Sequence, residues 1–173
     1  MKKIRLLLFL FIYTITTTVR ADFNDGVVAY LMADYEKAFT TMQSLAETSD
    51  HGYAQYYMGM MYLKGQGVDQ SYETAGNWFR KASEKNIPQA QYKLGDLYFK
   101  GRGVPKDYEY SYIWYSVGAS HKHKLSEKSI KKVKDKLSDE ELKEADKVIV
   151  TYIKKYGPQK DIDPTKPIKI ENE

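Results

Sequence analysis

The chain has 173 residues and carries 27 Lys and Arg against 23 Asp and Glu, a net charge of +4. Lys2, Lys3, Arg5 and Arg20 account for that excess. Beyond residue 21 the charges balance, leaving no basic field of the kind that holds nucleic acid. Cysteine is absent, which excludes disulfide frameworks, Cys-ligated zinc, CxxC redox chemistry and a lipidated N-terminal Cys. A hydrophobic share of 42% beside 29% charged residues suits a folded domain.

Residues 1–21 have the three-part layout of a secretory signal peptide. Lys2, Lys3 and Arg5 precede the apolar run Leu6–Tyr13, and a Thr-rich stretch ends in Val19-Arg20-Ala21. Cleavage is expected after Ala21. The apolar run is much shorter than the roughly 20 residues that span a bilayer, so no integral membrane segment is expected after cleavage. Export to the periplasm or the medium follows from this reading.

A helical pair is predicted at 23–31 and 35–48, within an opening unit at 22–50. Beyond it the sequence repeats itself at an offset of 36. Ala54, Gln55, Tyr56, Gly59, Tyr62, Lys64, Gly65, Gly67, Val68, Tyr72, Glu73 and Trp78 recur as Ala90, Gln91, Tyr92, Gly95, Tyr98, Lys100, Gly101, Gly103, Val104, Tyr108, Glu109 and Trp114. A fixed period of this length marks a stacked array of supersecondary units. The two copies are placed at 51–86 and 87–122. In each, Ala54, Met58, Met61 and Tyr62, or Ala90, Leu94, Leu97 and Tyr98, fall at helical spacing. Gly65 and Gly101 suit the left-handed position that ends such a helix. A second helix follows, from about Ser71 to Lys85 and from Asp107 to Ser120, and Pro88 suits the first turn of the helix after that. Gly59 and Gly95 lie inside a helix, where Gly costs about 1 kcal/mol relative to Ala; their recurrence implies a close backbone contact.

Residues 123–156 are expected to close the array with two helices, one starting at Ser126 and one at Ser138-Asp139-Glu140-Glu141, a capping-box pattern. From Gly157 the prolines Pro158, Pro164 and Pro167 interrupt a charged stretch, and residues 157–173 are expected to be disordered. The fold predicted is all-α, an α/α superhelix of antiparallel helix pairs.

The motif A-Q-Y-x-[ML]-G-x-[ML]-Y-x-K-G-x-G-V, followed by Y-E-x-[AS]-x-x-W-[FY], resembles the Sel-1-like repeat, an α/α solenoid related to the tetratricopeptide repeat. The period of 36 and the G-x-G-V loop favour that resemblance over the tetratricopeptide repeat itself, whose period is about 34. The resemblance implies that Ala54, Gly59, Tyr62, Gly65, Gly67 and Trp78, with Ala90, Gly95, Tyr98, Gly101, Gly103 and Trp114, are packing positions. It further implies a scaffold or adaptor that holds protein partners, with exported bacterial members among its relatives.

No constellation points to catalysis. The G-x-G loops follow helix C-termini, where carbonyls rather than N–H groups point outward, so they are helix stops and not phosphate cradles. His121 and His123 read as a solvated helix end, with His51 distant in sequence and no third ligand evident. Glu140-Glu141 belongs to a polar helix face. No enzyme, metal or cofactor is expected. The pattern that varies between copies is more informative. Tyr53, Tyr57, Met60 and Lys64 share a stripe displaced from the packing stripe, and Gln89, Lys93, Asp96 and Lys100 are its counterpart. Such a face, on the concave side of a repeat array, is the expected partner-binding surface of a monomer. A second candidate surface is the lysine-rich segment 121–156, with a net charge of +4 against −3 for residues 22–120, which would suit an anionic envelope surface.

Overall fold

A computed structural model describes residues 22–158. Within them the chain forms eight helices and no strand: α1 (Phe23–Leu31), α2 (Tyr35–Thr48), α3 (Gly52–Lys64), α4 (Tyr72–Glu84), α5 (Pro88–Lys100), α6 (Tyr108–Ser120), α7 (Lys124–Lys134) and α8 (Asp139–Tyr156). The expectations for residues 1–21 and for the tail beyond Pro158 lie outside the described residues.

Local chemistry sets the helix boundaries. Asp22, Asp34, Ser71, Asp107 and Ser138 each accept a hydrogen bond from a backbone N–H of the first turn. Each thereby satisfies a donor that the helix itself cannot pair. Ile87 offers no such bond before α5, but Pro88 at the first position removes one donor instead. The capping box at the start of α8 is complete: Ser138 Oγ accepts from Glu141 N–H, and Glu141 accepts from Ser138 N–H at 2.7 Å. At the other ends of α3 and α5, Gly65 and Gly101 take left-handed φ values of 67° and 64°.

Helices pack in chain order, α1 on α2, α2 on α3, and so on to α6 on α7; α8 then folds back onto α6. The alternating faces build a row of apolar clusters bridged by half-buried rings such as Phe39, Tyr62 and Tyr152. Ala54, Met58 and Met61 of α3 and Ala90, Leu94 and Leu97 of α5 are buried at equivalent registers. The second helices add Ala75, Phe79 and Ala82, then Trp114 and Val117. Small residues let the helices approach. A Cβ on Gly59 would come within 2.6 Å of the Phe79 ring, and one on Gly95 within 2.8 Å of the Tyr115 ring. The close neighbour is therefore chiefly an aromatic ring of the second helix, rather than the backbone expected from the sequence. The second glycine of each loop ties one unit to the previous one: Gly67 sits against the Tyr35 carbonyl, and Gly103 against the Tyr72 carbonyl, at the start of the preceding second helix.

Two expectations are corrected in the closing helices. α7 starts at Lys124, not Ser126. Its N-cap is His123, whose Nδ1 accepts from Ser126 N–H at 3.3 Å. His51 does the same before α3, accepting from Ala54 N–H at 3.2 Å. The histidines are thus not solvated ends; His121 is also engaged, with Nε2 3.0 Å from the Tyr156 carbonyl oxygen. In register, α7 is a third first helix. Ser126 takes the buried place of Ala54 and Ala90 and Val133 that of Met61 and Leu97, while half-buried Ile130 stands at the position of Met58 and Leu94.

Candidate protein-interaction surface

The first helices α1, α3, α5 and α7 lie side by side along one flank. Tyr30 of α1 meets Tyr57 of α3 edge to face at 5.1 Å. Lys64 of α3 is within electrostatic range of Lys93 on α5, and Tyr92 of α5 lies 5.4 Å from His123 at the head of α7. The stripe singled out in the sequence occupies this flank, but its members behave differently. Tyr57 is wedged between Tyr30 and Phe23, the latter at 6.0 Å, and its burial raises the pKa of its hydroxyl. Met60 is half-buried against the central core. Tyr53 is the exposed aromatic of the set, 43% accessible, with one edge toward Phe23 at 6.3 Å.

The polar members gather. Lys64 Nζ donates to the Tyr30 hydroxyl at 3.3 Å and lies over that ring. Lys100 pairs with Asp96 one helical turn away at 2.7 Å. Lys93 lies over the Tyr92 ring at 5.7 Å. Desolvation is the main cause that lowers its ammonium pKa; Asp96 opposes this, while Lys64 and Lys100 reinforce it. Three cations and one anion therefore stand beside an aromatic and methionine floor, already held in place by helix packing. Such a surface favours an acidic or aromatic partner over a small-molecule ligand.

A second concavity escaped the sequence analysis. It is a groove of about 490 Å³ between the C-terminal ends of α2 and α4 and the start of α3, floored by Trp78. Trp78 is half-buried, with Lys81 Nζ over its ring at 4.5 Å. Trp114, its repeat counterpart, is only 3% exposed and lies against Tyr152 and Tyr156 of α8. The two tryptophans are identical in sequence pattern, so only the differing neighbours, such as Lys81 in place of Val117, could have signalled the open one.

The hydroxyls of Tyr112 and Tyr115 have strongly raised pKa values, mainly through desolvation, and both side chains belong to the core. Among the described residues no three His, Cys, Asp or Glu side chains gather around a point where a metal ion could sit. The lysines of α7 and α8 partly serve as covers: Lys132 lies over Phe99, Lys134 over Tyr112 and Lys155 over Tyr156.

The Sel1 repeat family matches residues 52–87 and 88–123, the two helix pairs α3–α4 and α5–α6 with their connecting segments. The chain carries two Sel1 repeats. Its architecture is similar to solved structures of the same kind. One is c5321, a protective antigen present in uropathogenic Escherichia coli strains and displaying an SLR fold. It is 25% identical, with a TM-score of 0.76 over 87% of this chain and 34% of the other. Another is a Sel1 repeat protein from Oxalobacter formigenes, 31% identical, with a TM-score of 0.59 over 63% of this chain and 44% of the other. The chain spans about a third and under half of the lengths of these two proteins. Among curated proteins none matches it in sequence. Sel1 repeats form a non-catalytic scaffold fold that generally mediates protein–protein interaction.

Proposed function

We propose that this Sel1-repeat chain is a non-enzymatic adaptor that engages a protein partner across the flank of its first helices, and that it acts in the periplasm or outside the cell after loss of residues 1–21. The observation that carries the binding surface is the preformed first-helix stripe, on which exposed Tyr53 and half-buried Met60 share α3 with Lys64, and Lys64 and Lys100 are both within electrostatic range of Lys93. A surface already ordered by stacked helices binds without the entropic cost of folding a loop. The export reading rests on the basic, apolar and polar sequence of residues 1–21. No described helix is long and apolar enough to cross a membrane.

The test is affinity capture from the native envelope with mature protein, comparing wild type with Tyr53→Ala and with Lys93→Glu. Retained helicity with loss of one reproducible partner supports the reading; a partner set indifferent to both changes refutes the surface. N-terminal sequencing of the exported protein should begin at Asp22, and recovery with an intact Met1 would refute the export step.

A further inference from the structure

The repeat supplies its own template for what fills the open groove at Trp78. In the second copy, the equivalent groove is occupied by the last turn of α8. There Tyr156 stacks on Trp114 with ring centroids 5.8 Å apart, and Tyr152 meets the same indole edge-on at 5.4 Å. The carbonyl of Tyr156, left unpaired by the end of its helix, accepts from Gln91 Nε2 at 2.9 Å and lies 3.0 Å from His121 Nε2. An aromatic floor and two side-chain donors thus hold a helix C-terminus.

All three holding elements have counterparts in the first copy: Trp78 for Trp114, Gln55 for Gln91 and Lys85 for His121. Among the described residues no helix lies on them. The two donors turn instead to one carboxylate, that of Asp50, which accepts from Gln55 Nε2 at 2.6 Å and is ion-paired with Lys85. Asp50 thus occupies the acceptor role that the Tyr156 carbonyl plays in the second copy. It does so from an exposed position and a left-handed backbone, φ 50°. Gln55 is 1% exposed, and its Oε1 has no hydrogen-bond partner.

The rims differ in a way that describes the occupant. Val117 and Ser120 of the covered groove are replaced by Lys81 and Glu84 in the open one, and Ser83 and Asn86 by Glu47 and Asp50. Lys85 is tied to Asp50 and Lys81 lies on the indole, so the open rim has a net charge of −1 and suits a basic helix end. The chain already shows that match at its edge, where Glu84 is within electrostatic range of Lys155 in the last turn of α8.

We propose that the Trp78 groove is a docking site for the C-terminal turn of a partner's helix, one bearing tyrosines a turn apart and lysines beside them, as the α8 sequence Tyr152-Ile153-Lys154-Lys155-Tyr156 does. This rests on the scaffold reading but assigns a site separate from the first-helix flank. The occupant's rings cover Trp78, and its terminal carbonyl displaces Asp50 from Gln55 and Lys85.

The probe is a fluorescent, C-terminally amidated peptide of residues 145–157, titrated against the full exported chain by anisotropy. Saturable one-to-one binding is expected. It should weaken at least tenfold with Trp78→Ala or with Tyr152→Ala and Tyr156→Ala in the peptide. The exposed change Glu84→Lys should weaken it several-fold with no loss of helicity, and Lys93→Glu on the other flank should leave it unchanged. Absence of saturable binding, or binding indifferent to both Trp78→Ala and Glu84→Lys, overturns the proposal. So does self-association of the free chain that Trp78→Ala abolishes, since a second copy would then be the occupant. Partner capture through Tyr53 and Lys93 is measured separately, so either reading can fail without the other.

Discussion

Gly101 and Gly103 allow the coupling between repeats to be separated from the conformational demand of a loop. Both residues have left-handed backbones, with φ of 64° and 70°. A Cβ at either position costs about 1–2 kcal/mol from that backbone alone. At Gly101 the new Cβ meets Lys106 Cβ at 3.0 Å and Lys106 N at 3.3 Å, a loop neighbour with room to yield. At Gly103 it lands on the Tyr72 carbonyl and within 2.5 Å of Glu73 N, the first turn of α4 in the previous unit. Helix backbone cannot swing aside as a side chain does, so overpacking adds about 1–3 kcal/mol or more. Gly103→Ala should therefore destabilise by about 2–5 kcal/mol and Gly101→Ala by only about 1–2 kcal/mol. Urea unfolding followed by helical circular dichroism reads both. The Gly103 variant should also lower the slope of the transition, because units that no longer abut can unfold separately. Equal midpoints for the two variants would refute the claim that the loop glycine is the point of contact between units. Gly65→Ala and Gly67→Ala repeat the comparison one unit earlier, where the Tyr35 carbonyl is the obstacle.

Gly95→Leu should cost more than Gly95→Ala. In the alanine variant a gain in helix propensity of about 1 kcal/mol offsets part of the clash with the Tyr115 ring; leucine extends the clash without adding to that gain. Thermal unfolding in a differential scan checks the order. Ser138→Ala should remove about 1 kcal/mol by breaking the capping box of α8, visible in the urea midpoint. Tyr156→Ala should shift tryptophan emission to the red by opening Trp114 to water, whereas the same change in a Trp114→Phe background should leave the emission of Trp78 unmoved. His123 contributes a pH dependence of known sign. Burial lowers its pKa from 6.5, and its neutral Nδ1 accepts the capping bond of α7. Between the folded and unfolded pKa values the unfolded chain binds more protons. Its contribution is therefore present above 6.5 and is lost as pH falls through the folded value. Urea midpoints taken at and below pH 6.5 should fall less in His123→Asn, which caps without titrating there; equal slopes would refute the capping role.

What could be read from the residues follows from how local each determinant is. The bounds of the opening pair agree with the sequence reading, and Asp22 and Asp34 cap its two helices in the structure. Gly65 and Gly101 ended α3 and α5 where their left-handed positions do. The start of α7 was missed because histidine is not among the usual capping side chains, and Ser126 looked the better cap. Its kinship to the other first helices was masked by charge. Lys131 and Lys134 stand where α5 has Gly95 and Tyr98, so only the small or apolar residues Ser126, Ile130 and Val133 preserve the register. Tyr57 looked like a partner contact because its neighbours Phe23 and Tyr30 lie on a different helix, a tertiary relation that period and spacing do not encode.

The unequal fates of Trp78 and Trp114 carry the same logic into function. Duplication gives two copies the same local instructions, yet a stacked array has ends, and only one copy can be next to the closing helix. Where α8 lands, the rim is uncharged and buried, with Ser83 and Val117 at 0% exposure. Where it does not, the same aromatic floor and the same amide persist beneath a charged rim. If the charges served solubility alone, replacing the half-buried indole itself would serve better, since its open edge gains little from water and invites association. Its retention beside Gln55 and Lys85, with their donors turned to a carboxylate, favours a seat shaped by the packing rules of the array and available to a helix from outside.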